Sequence, residues 1–83
     1  MDLIMTGISA SERLRRENLV AATRNLIMEK MQLGGPSMRM VELLEELRKQ
    51  SSMEIHLHEL RSALGTLMTE GAVVIHGDSV KRV

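Results

Sequence analysis

The sequence contains no cysteine, phenylalanine, tyrosine or tryptophan, and it has a single proline. Without cysteine there is no disulfide and no thiolate metal ligand, which is typical of proteins in reducing compartments. Without aromatic rings the chain lacks the stacking platforms of single-strand nucleic-acid binders. No apolar run approaches the ~20 residues of a membrane span, and Met1–Thr6 has no basic leader. We therefore expect neither a membrane segment nor a signal peptide.

The charges of the chain balance, since eleven basic side chains are matched by eleven acidic ones. Strong non-specific binding of nucleic acid needs clustered lysine and arginine to neutralise phosphates, so this balance argues against it. A length of 83 residues allows one small domain, which would bury ~60% of its unfolded surface. Its core must be built from aliphatic residues and some of the eight methionines.

A first long helix is predicted from about Ser11 to Met31. Ser9 and Glu12 have the spacing of a capping box, and no glycine or proline occurs between Ser9 and Gly34. Gly34-Gly35-Pro36 ends the helix. The residues expected to face the core recur at helical spacing: Leu19, Ala22, Thr23, Leu26, Ile27 and Met31.

Two shorter helices are predicted over Val41–Gln50 and Leu57–Glu70, with a turn at Ser51–Glu54 between them and Gly71 ending the second. Their expected core residues form apolar stripes: Val41, Leu43, Leu44 and Leu47 on the first, and Leu57, Leu60, Leu64, Leu67 and Met68 on the second.

A β-hairpin is predicted from the apolar run Ala72–His76, a turn at Gly77-Asp78 and a returning strand at Ser79–Val83. The two-residue loop would pair His76 with Ser79, Ile75 with Val80 and Val74 with Lys81. An extended segment at Ser37–Met40 would add a third strand. Two consecutive helices followed by a hairpin are the order of a winged helix. The predicted fold is therefore α+β, with three helices and a small antiparallel sheet.

No pattern in the sequence indicates catalysis. Gly34-Gly35-Pro36 lacks the lysine of a P-loop and the spacing of a dinucleotide-binding turn. His56, His58 and His76 match no zinc spacing, and a separation of two residues at the start of a helix points the first two apart. We expect no catalytic residue, no cofactor-binding residue and no metal site, so the fragment is not predicted to be an enzyme.

Winged helices bind DNA or other proteins, and the outward residues of the last helix and the hairpin are the candidate contacts. They are His58, Arg61, Ser62, Thr66, His76, Lys81 and Arg82. Two outward glutamates, Glu59 and Glu70, disfavour insertion of the helix into a DNA groove, whereas the wing is basic. Protein docking is the leading interpretation, direct DNA binding is the alternative, and Lys81 and Arg82 could also be ordinary edge-strand charges.

The segment Asp2–Arg13, with its apolar pair, Thr6-Gly7 and a Ser/Ala run before a charged helix, resembles the join after the ATPase core of minichromosome maintenance proteins. These proteins are the subunits of the ring-shaped replicative DNA helicase. The end of the second helix, Arg48–Ser51, and the closing Val74–Val83 look most like the C-terminal winged helix of the fourth eukaryotic subunit. An archaeal relative is the other origin considered.

The resemblance implies that residues 1–8 are a flexible linker from an ATPase core outside this chain, and that residues 9–83 are the winged-helix domain. It implies an accessory module that docks helicase-loading factors or neighbouring subunits and modulates the ATPase of the ring. The parent would be a hetero-hexameric helicase that uses ATP and magnesium, in the nucleus, or in the cytoplasm if archaeal. The isolated domain is expected to be monomeric, and a passive C-terminal cap is the remaining alternative.

Overall fold

The computed structural model describes residues 10–51 and 54–83, which form three helices and a three-stranded sheet. The helices are α1 (Ala10–Lys30), α2 (Met40–Gln50) and α3 (Leu57–Thr69), and the strands are β1 (Met38–Arg39), β2 (Val73–His76) and β3 (Ser79–Arg82). The predicted winged-helix order is confirmed. Three predictions fall outside the described residues: the cap at Ser9, the linker at residues 1–8 and the centre of the turn at Ser51–Glu54. No helix within the described ranges is long and apolar enough to span a bilayer.

The sheet is antiparallel, with β3 between β1 and β2. The predicted hairpin register is confirmed, because His76 pairs with Ser79 and Ile75 with Val80. The predicted third strand is confirmed as well, although it is only two residues long and pairs Met38 with Val80. Gly77 takes a positive φ of 62°, which lets the chain reverse in two residues.

The end of α3 is fixed by a Schellman motif. Gly71 adopts a φ of 82°, its N–H donates to the carbonyl of Met68, and the N–H of Ala72 donates to the carbonyl of Leu67. These two bonds satisfy carbonyls that the end of a helix otherwise leaves without partners. The chain therefore enters β2 directly, and the position of the hairpin relative to α3 is set within three residues.

The core is aliphatic and lies between the three helices and the inner face of the sheet. Its largest fully buried side chains come from every helix, from the segment before α3 and from the hairpin: Leu26, Leu43, Leu47, Ile55, Leu60, Leu64, Leu67, Val73 and Val80. Thr23 is the one buried polar residue found in the described chain, and its hydroxyl donates to the carbonyl of Leu19 at 2.7 Å. A threonine in the helix interior thus satisfies its hydroxyl locally.

Three predicted core residues are exposed instead: Ala22, Val41 and Met68. Successive residues lie ~100° apart around a helix, so Met68 is turned away from the stripe that contains Leu67. On α2 the buried stripe starts one residue earlier than predicted, at Met40, and this displaces Val41 to solvent. Leu57 is only half-buried, whereas Ala63 and Ile55 are core residues that the sequence pattern did not reveal.

The connection from α1 to β1 is held by the far end of the chain. The N–H of Gly34 donates to the carbonyl of Arg82 at 3.1 Å, and Nη1 of Arg82 donates to the carbonyl of Met31 at 2.9 Å. The N–H of Gly35 also bonds back to the carbonyl of Gln32. The glycine-rich break is therefore a defined corner that carries the chain from the end of α1 to the edge of the sheet.

The burial of α3 predicts the effect of truncating its core stripe. Replacing Leu64, which is fully buried, by alanine should lower the free energy of unfolding by about 2–5 kcal/mol, because it removes buried methyl groups and leaves a cavity. Leu14→Ala, at an exposed position, is the matched control and should change it by less than ~0.5 kcal/mol. Urea denaturation followed by far-ultraviolet circular dichroism measures both, and equal effects would contradict the core assignment.

Candidate interaction surfaces

An ion pair at the start of α3 joins this helix to α1. Arg15 donates two hydrogen bonds to the Glu59 carboxylate from one edge of its guanidinium, from Nε to Oε2 at 2.8 Å and from Nη2 to Oε1 at 3.1 Å. Nη2 of Arg15 also donates to the carbonyl of Glu54. Oε1 of Glu59 also accepts a hydrogen bond from the backbone N–H of His56, which occupies the N-cap position of α3. One carboxylate thus caps α3 and ties it to α1.

A second ion pair joins the other end of α3 to α1. Nη2 of Arg24 lies 2.6 Å from Oε1 of Glu70, the residue after the last turn of α3. The sequence suggested that Glu59 and Glu70 face outward as two uncompensated acids. The structure differs, because the crossing of α1 over α3 gives each of them an arginine partner.

The contacts of Glu59 stabilise its charged form. The hydrogen bond from Arg15, followed by the backbone N–H of His56, lowers the pKa of this carboxyl from 4.5 to about 2. A hydrogen bond to the ionised form of a carboxyl lowers its pKa in this way. Because the pKa is lowered in the folded state, the stabilisation is fully present above pH 4.5 and is lost as the pH falls through about 2.

The outward face of α3 contains four of the predicted contact residues, His58, Arg61, Ser62 and Thr66, all exposed. His58 and Ser62 line a cleft with the first half of α1, which contributes Arg16. With both glutamates paired, Arg61 is the one formal charge that this face presents within the described chain. The face is small and weakly basic.

The outer face of the sheet brings together two more predicted residues and one that sequence reasoning missed. The register pairs Ser79 with His76 on one side and with Arg39 on the other. Lys81, two residues further along β3, lies on the same face. His76, Arg39 and Lys81 are all exposed, and Asp78 lies in the adjoining turn. Arg39 could not be placed from the sequence, because a two-residue strand has no periodicity of its own.

Arg82 and His56 are placed differently from what the sequence suggested. Arg82 is half-buried and directs Nη1 to the carbonyl of Met31, so part of its guanidinium already holds the fold together. His56 precedes α3 with an extended backbone, and its ring stacks on that of His58 with centroids 5.6 Å apart. The expectation that these two rings point apart is wrong, because only His58 lies within the helix.

The described chain also exposes several large apolar side chains. Six are found in the described ranges: Leu14, Met28, Leu33, Val41, Met68 and Val83. Three of them, Met28, Leu33 and Val83, line one groove at the end of α1. Among residues 10–51 and 54–83 there is no group of three or more histidine or acidic side chains placed to hold a metal ion.

A comparison with known families decides what this arrangement is. Residues 10–83 match the family described as the MCM4 winged helix domain. The chain belongs to this family. The predicted resemblance to the fourth eukaryotic subunit of the minichromosome maintenance proteins is confirmed, and so is the winged-helix fold.

Individual relatives point to the same family. The chain is 89% identical over its whole length to a DNA replication licensing factor MCM4 from Oryza sativa subsp. japonica and 55% identical to the protein of that name from Arabidopsis thaliana. It is 30% identical over 98% of its length to the protein of that name from Xenopus tropicalis. The chain spans 10% of the length of the first two proteins and 9% of the third.

The Glu59 contacts predict a specific dependence of stability on pH. Glu59→Gln should lower the free energy of unfolding by about 1 kcal/mol at pH 7, because the variant loses the ion pair and weakens the cap. As the pH falls from 4.5 towards 2, the unmodified chain loses this contribution. The free energies of unfolding of the variant and of the unmodified chain should therefore converge. Urea denaturation at pH 7, 4 and 2.5 measures the difference.

The matched control is Glu45→Gln on the exposed side of α2, where no described cation lies within ion-pair distance of the carboxylate. Its stability should follow that of the unmodified chain at every pH. A constant offset between the Glu59→Gln variant and the unmodified chain from pH 7 to 2.5 would contradict the role assigned to the Arg15–Glu59 pair.

Proposed function

We propose that the chain is an accessory and regulatory domain of a subunit of the replicative DNA helicase. In this proposal the domain docks helicase-loading factors or neighbouring subunits of a hetero-hexameric ring and modulates the ATPase of that ring. ATP and magnesium belong to the ATPase core of the larger protein, and the place of action is the nucleus. The relatives named as DNA replication licensing factors, of which the chain covers about a tenth, support this assignment.

The observation that carries the docking role is the surface itself. Three exposed apolar side chains, Met28, Leu33 and Val83, converge on one groove. Their convergence in one place supports protein binding, whereas exposed apolar side chains scattered singly would not. The weakly basic outward face of α3 agrees with docking, since a helix that reads DNA usually carries several phosphate-binding and base-reading side chains.

The proposal predicts a loss of function when the domain is removed from the full-length subunit. A ring reconstituted without residues 10–83 of this subunit should bind its loading factors about tenfold more weakly, or hydrolyse ATP at a rate changed by at least twofold. Size-exclusion chromatography controls for ring assembly, and a ring carrying Glu45→Gln is the matched control. Unchanged binding and unchanged ATPase in an assembled ring would leave the domain as a passive cap and would contradict the proposal.

Direct DNA binding is the second candidate function. It is favoured by the ion pairs that Glu59 and Glu70 form with arginines of α1. Once these carboxylates are neutralised, Arg61 on α3 and Lys81 with Arg39 on the sheet are cations free to meet phosphates. No carboxylate within the described chain lies within ion-pair distance of these three side chains. A winged helix that binds DNA would use these two surfaces together.

A DNA titration separates the two functions. Under the docking proposal, duplex DNA should bind the chain with a Kd of ~1–100 μM or weaker at physiological salt, which is no tighter than non-specific binding. Submicromolar binding that weakens with salt, and that Lys81→Glu reduces at least tenfold, would establish the DNA-binding function instead. Lys49→Glu on α2 is the matched control, since Lys49 belongs to neither surface, is exposed, and its 3.5 Å contact with Glu46 is open to solvent. Fluorescence anisotropy with a labelled duplex measures the affinity.

A further inference from the structure

Strand β2 lies at one edge of the sheet, because the strands have the order β1-β3-β2. The N–H of Val83 donates to the carbonyl of Ala72 at 3.1 Å, so these two residues form a hydrogen-bonded pair at the end of the β2–β3 ladder. Hydrogen-bonded and non-hydrogen-bonded pairs alternate along an antiparallel ladder. Val74 therefore directs its N–H and C=O to β3, whereas Val73 and Ile75 direct theirs to the other side of β2.

The outer side of β2 has backbone groups that the described chain leaves without a partner. Among residues 10–51 and 54–83, neither Val73 nor Ile75 forms a hydrogen bond on that side. Val73 is 1% exposed and is therefore closed to a partner. Ile75 is only half-buried, and the next residue, His76, is exposed. The N–H and C=O of Ile75 thus lie on the part of the edge that solvent reaches.

The opposite edge of the sheet is closed by α2. Strand β1 has only two residues, and the N–H of Arg39 donates to Oε1 of Glu42 in the first turn of α2 at 3.0 Å. The N–H of Met40 donates to the carbonyl of Asp78 at 2.8 Å. These bonds carry the chain from β1 directly into the helix. In the described part of the chain, the edge that is open to pairing is therefore that of β2.

The sequence of β2 has no feature that protects an edge strand from pairing. Natural edge strands are often blocked by lysine, proline or a bulge. Strand β2 consists of three β-branched residues and His76, and it pairs with β3 without a bulge. Lys81 and Arg82 lie on β3, the central strand, so they are not the charges of an edge strand. A run of β-branched residues favours an extended neighbour.

We propose that the edge of β2 binds an extended segment of a partner protein, which pairs with Ile75 as a fourth strand of the sheet. The central residue of the segment exchanges two backbone hydrogen bonds with Ile75. Its side chain lies beside that of Ile75, which packs against the core on the inner face of the sheet. A β-branched residue suits this position. The inference rests on the proposed docking function and adds a second place of contact, with a partner of stated chemistry.

A second copy of the chain is a poorer occupant than an extended segment. Two copies of β2 could pair only around Ile75, because Val73 is buried. A contact of about three residues a side is far below the ~20–30 residues and ~800 Å² a side that a stable dimer uses. An added strand is held mainly by its main-chain hydrogen bonds. Inside an assembly a weak contact suffices, because tethering gives effective concentrations in the millimolar range.

Peptide binding to the ¹⁵N-labelled chain tests the proposal. The probe is a heptapeptide with a central valine, a threonine on each side of it, and serine and glycine at both ends. It is titrated to several millimolar while amide shifts are followed. Saturable shifts centred on Ile75 and Gly77 are expected, and their absence would overturn the proposal.

Two N-methylated peptides test whether the contact is a backbone pairing. N-methylation of the central valine removes the N–H that donates to Ile75 and should weaken binding about fivefold or more. N-methylation of the preceding threonine, whose N–H points away from β2, is the matched control and should leave the affinity unchanged. Equal affinities of the two methylated peptides would overturn the proposal.

Two variants of the chain locate the site. Ile75→Lys places a charged side chain at the edge, as natural edge strands do to prevent pairing, and should weaken binding of the peptide at least fivefold. Val41→Lys, at a β-branched residue that is 50% exposed on α2, should leave binding unchanged. Amide spectra show whether each variant is folded, and the methylated peptides decide the question if Ile75→Lys is not. An equal effect of both variants would overturn the assignment of the site.

Hydrogen exchange of the free chain tests the open edge itself. The amide of Ile75 should exchange at least tenfold faster than that of Val74, because only the N–H of Val74 is bonded to β3. Equal protection of the two amides would overturn the proposal.

Other outcomes indicate other occupants. Shifts at Ile75 that depend on the concentration of the chain alone would indicate a second copy and would overturn the proposal. If the peptide fails to bind but removal of residues 10–83 weakens loading-factor binding, the edge inference fails and the docking function stands. Peptide binding at Ile75, with loading-factor binding and ATPase unchanged by that removal, would support the edge inference and contradict the docking function.

Discussion

Burial of the apolar face of α3 is the constraint on which the other parts of the structure depend. α1, α2 and β2 all pack against this helix, and its central side chains Leu60, Leu64 and Leu67 are fully buried. Without aromatic rings, no single large side chain can fill the space between the elements. The core must instead be closed by many aliphatic contacts from every element at once. A small domain of this kind has little stability to lose.

The crossing of α1 over α3 also determines the charge of the exposed surface. It brings Arg15 to Glu59 and Arg24 to Glu70, so the acids of α3 are compensated beside their own helix. What remains outward is Arg61 with neutral residues on α3, and Arg39, His76 and Lys81 on the sheet. The net charge of the chain is zero, but the charges are not evenly distributed. They are paired between the helices, the wing is modestly basic, and an apolar groove lies beside Arg82.

Local patterns were sufficient to predict the elements and the hairpin. The Gly77-Asp78 loop has two residues, and a loop of fixed length determines the register of the strands that it joins. The stripe on α3 was predicted by its spacing except at Met68, which is turned away from the side that contains Leu67, and at Leu57, which is only half-buried. The interpretation as a winged helix needed only the order of these elements.

The surfaces could not be predicted in the same way, because they depend on residues far apart in the sequence. The Arg15–Glu59 pair spans 44 positions, and the groove joins Met28 and Leu33 with Val83 through the corner at Gly34. Arg39 joins the basic outer face only because Ser79 pairs with it across the sheet. Each of these contacts depends on the packing of α1 on α3 or on the pairing of β1 with β3. No local sequence pattern predicts such contacts.

We propose above all that this domain acts by contacting another protein of the helicase assembly. Hydrogen exchange of the full-length subunit within its ring, with and without a purified loading factor, tests it most directly. The account predicts slower amide exchange within residues 10–83 in the presence of the factor, centred on the end of α1 and the adjoining end of the sheet. Unchanged exchange throughout residues 10–83, while other parts of the ring become protected, would contradict it.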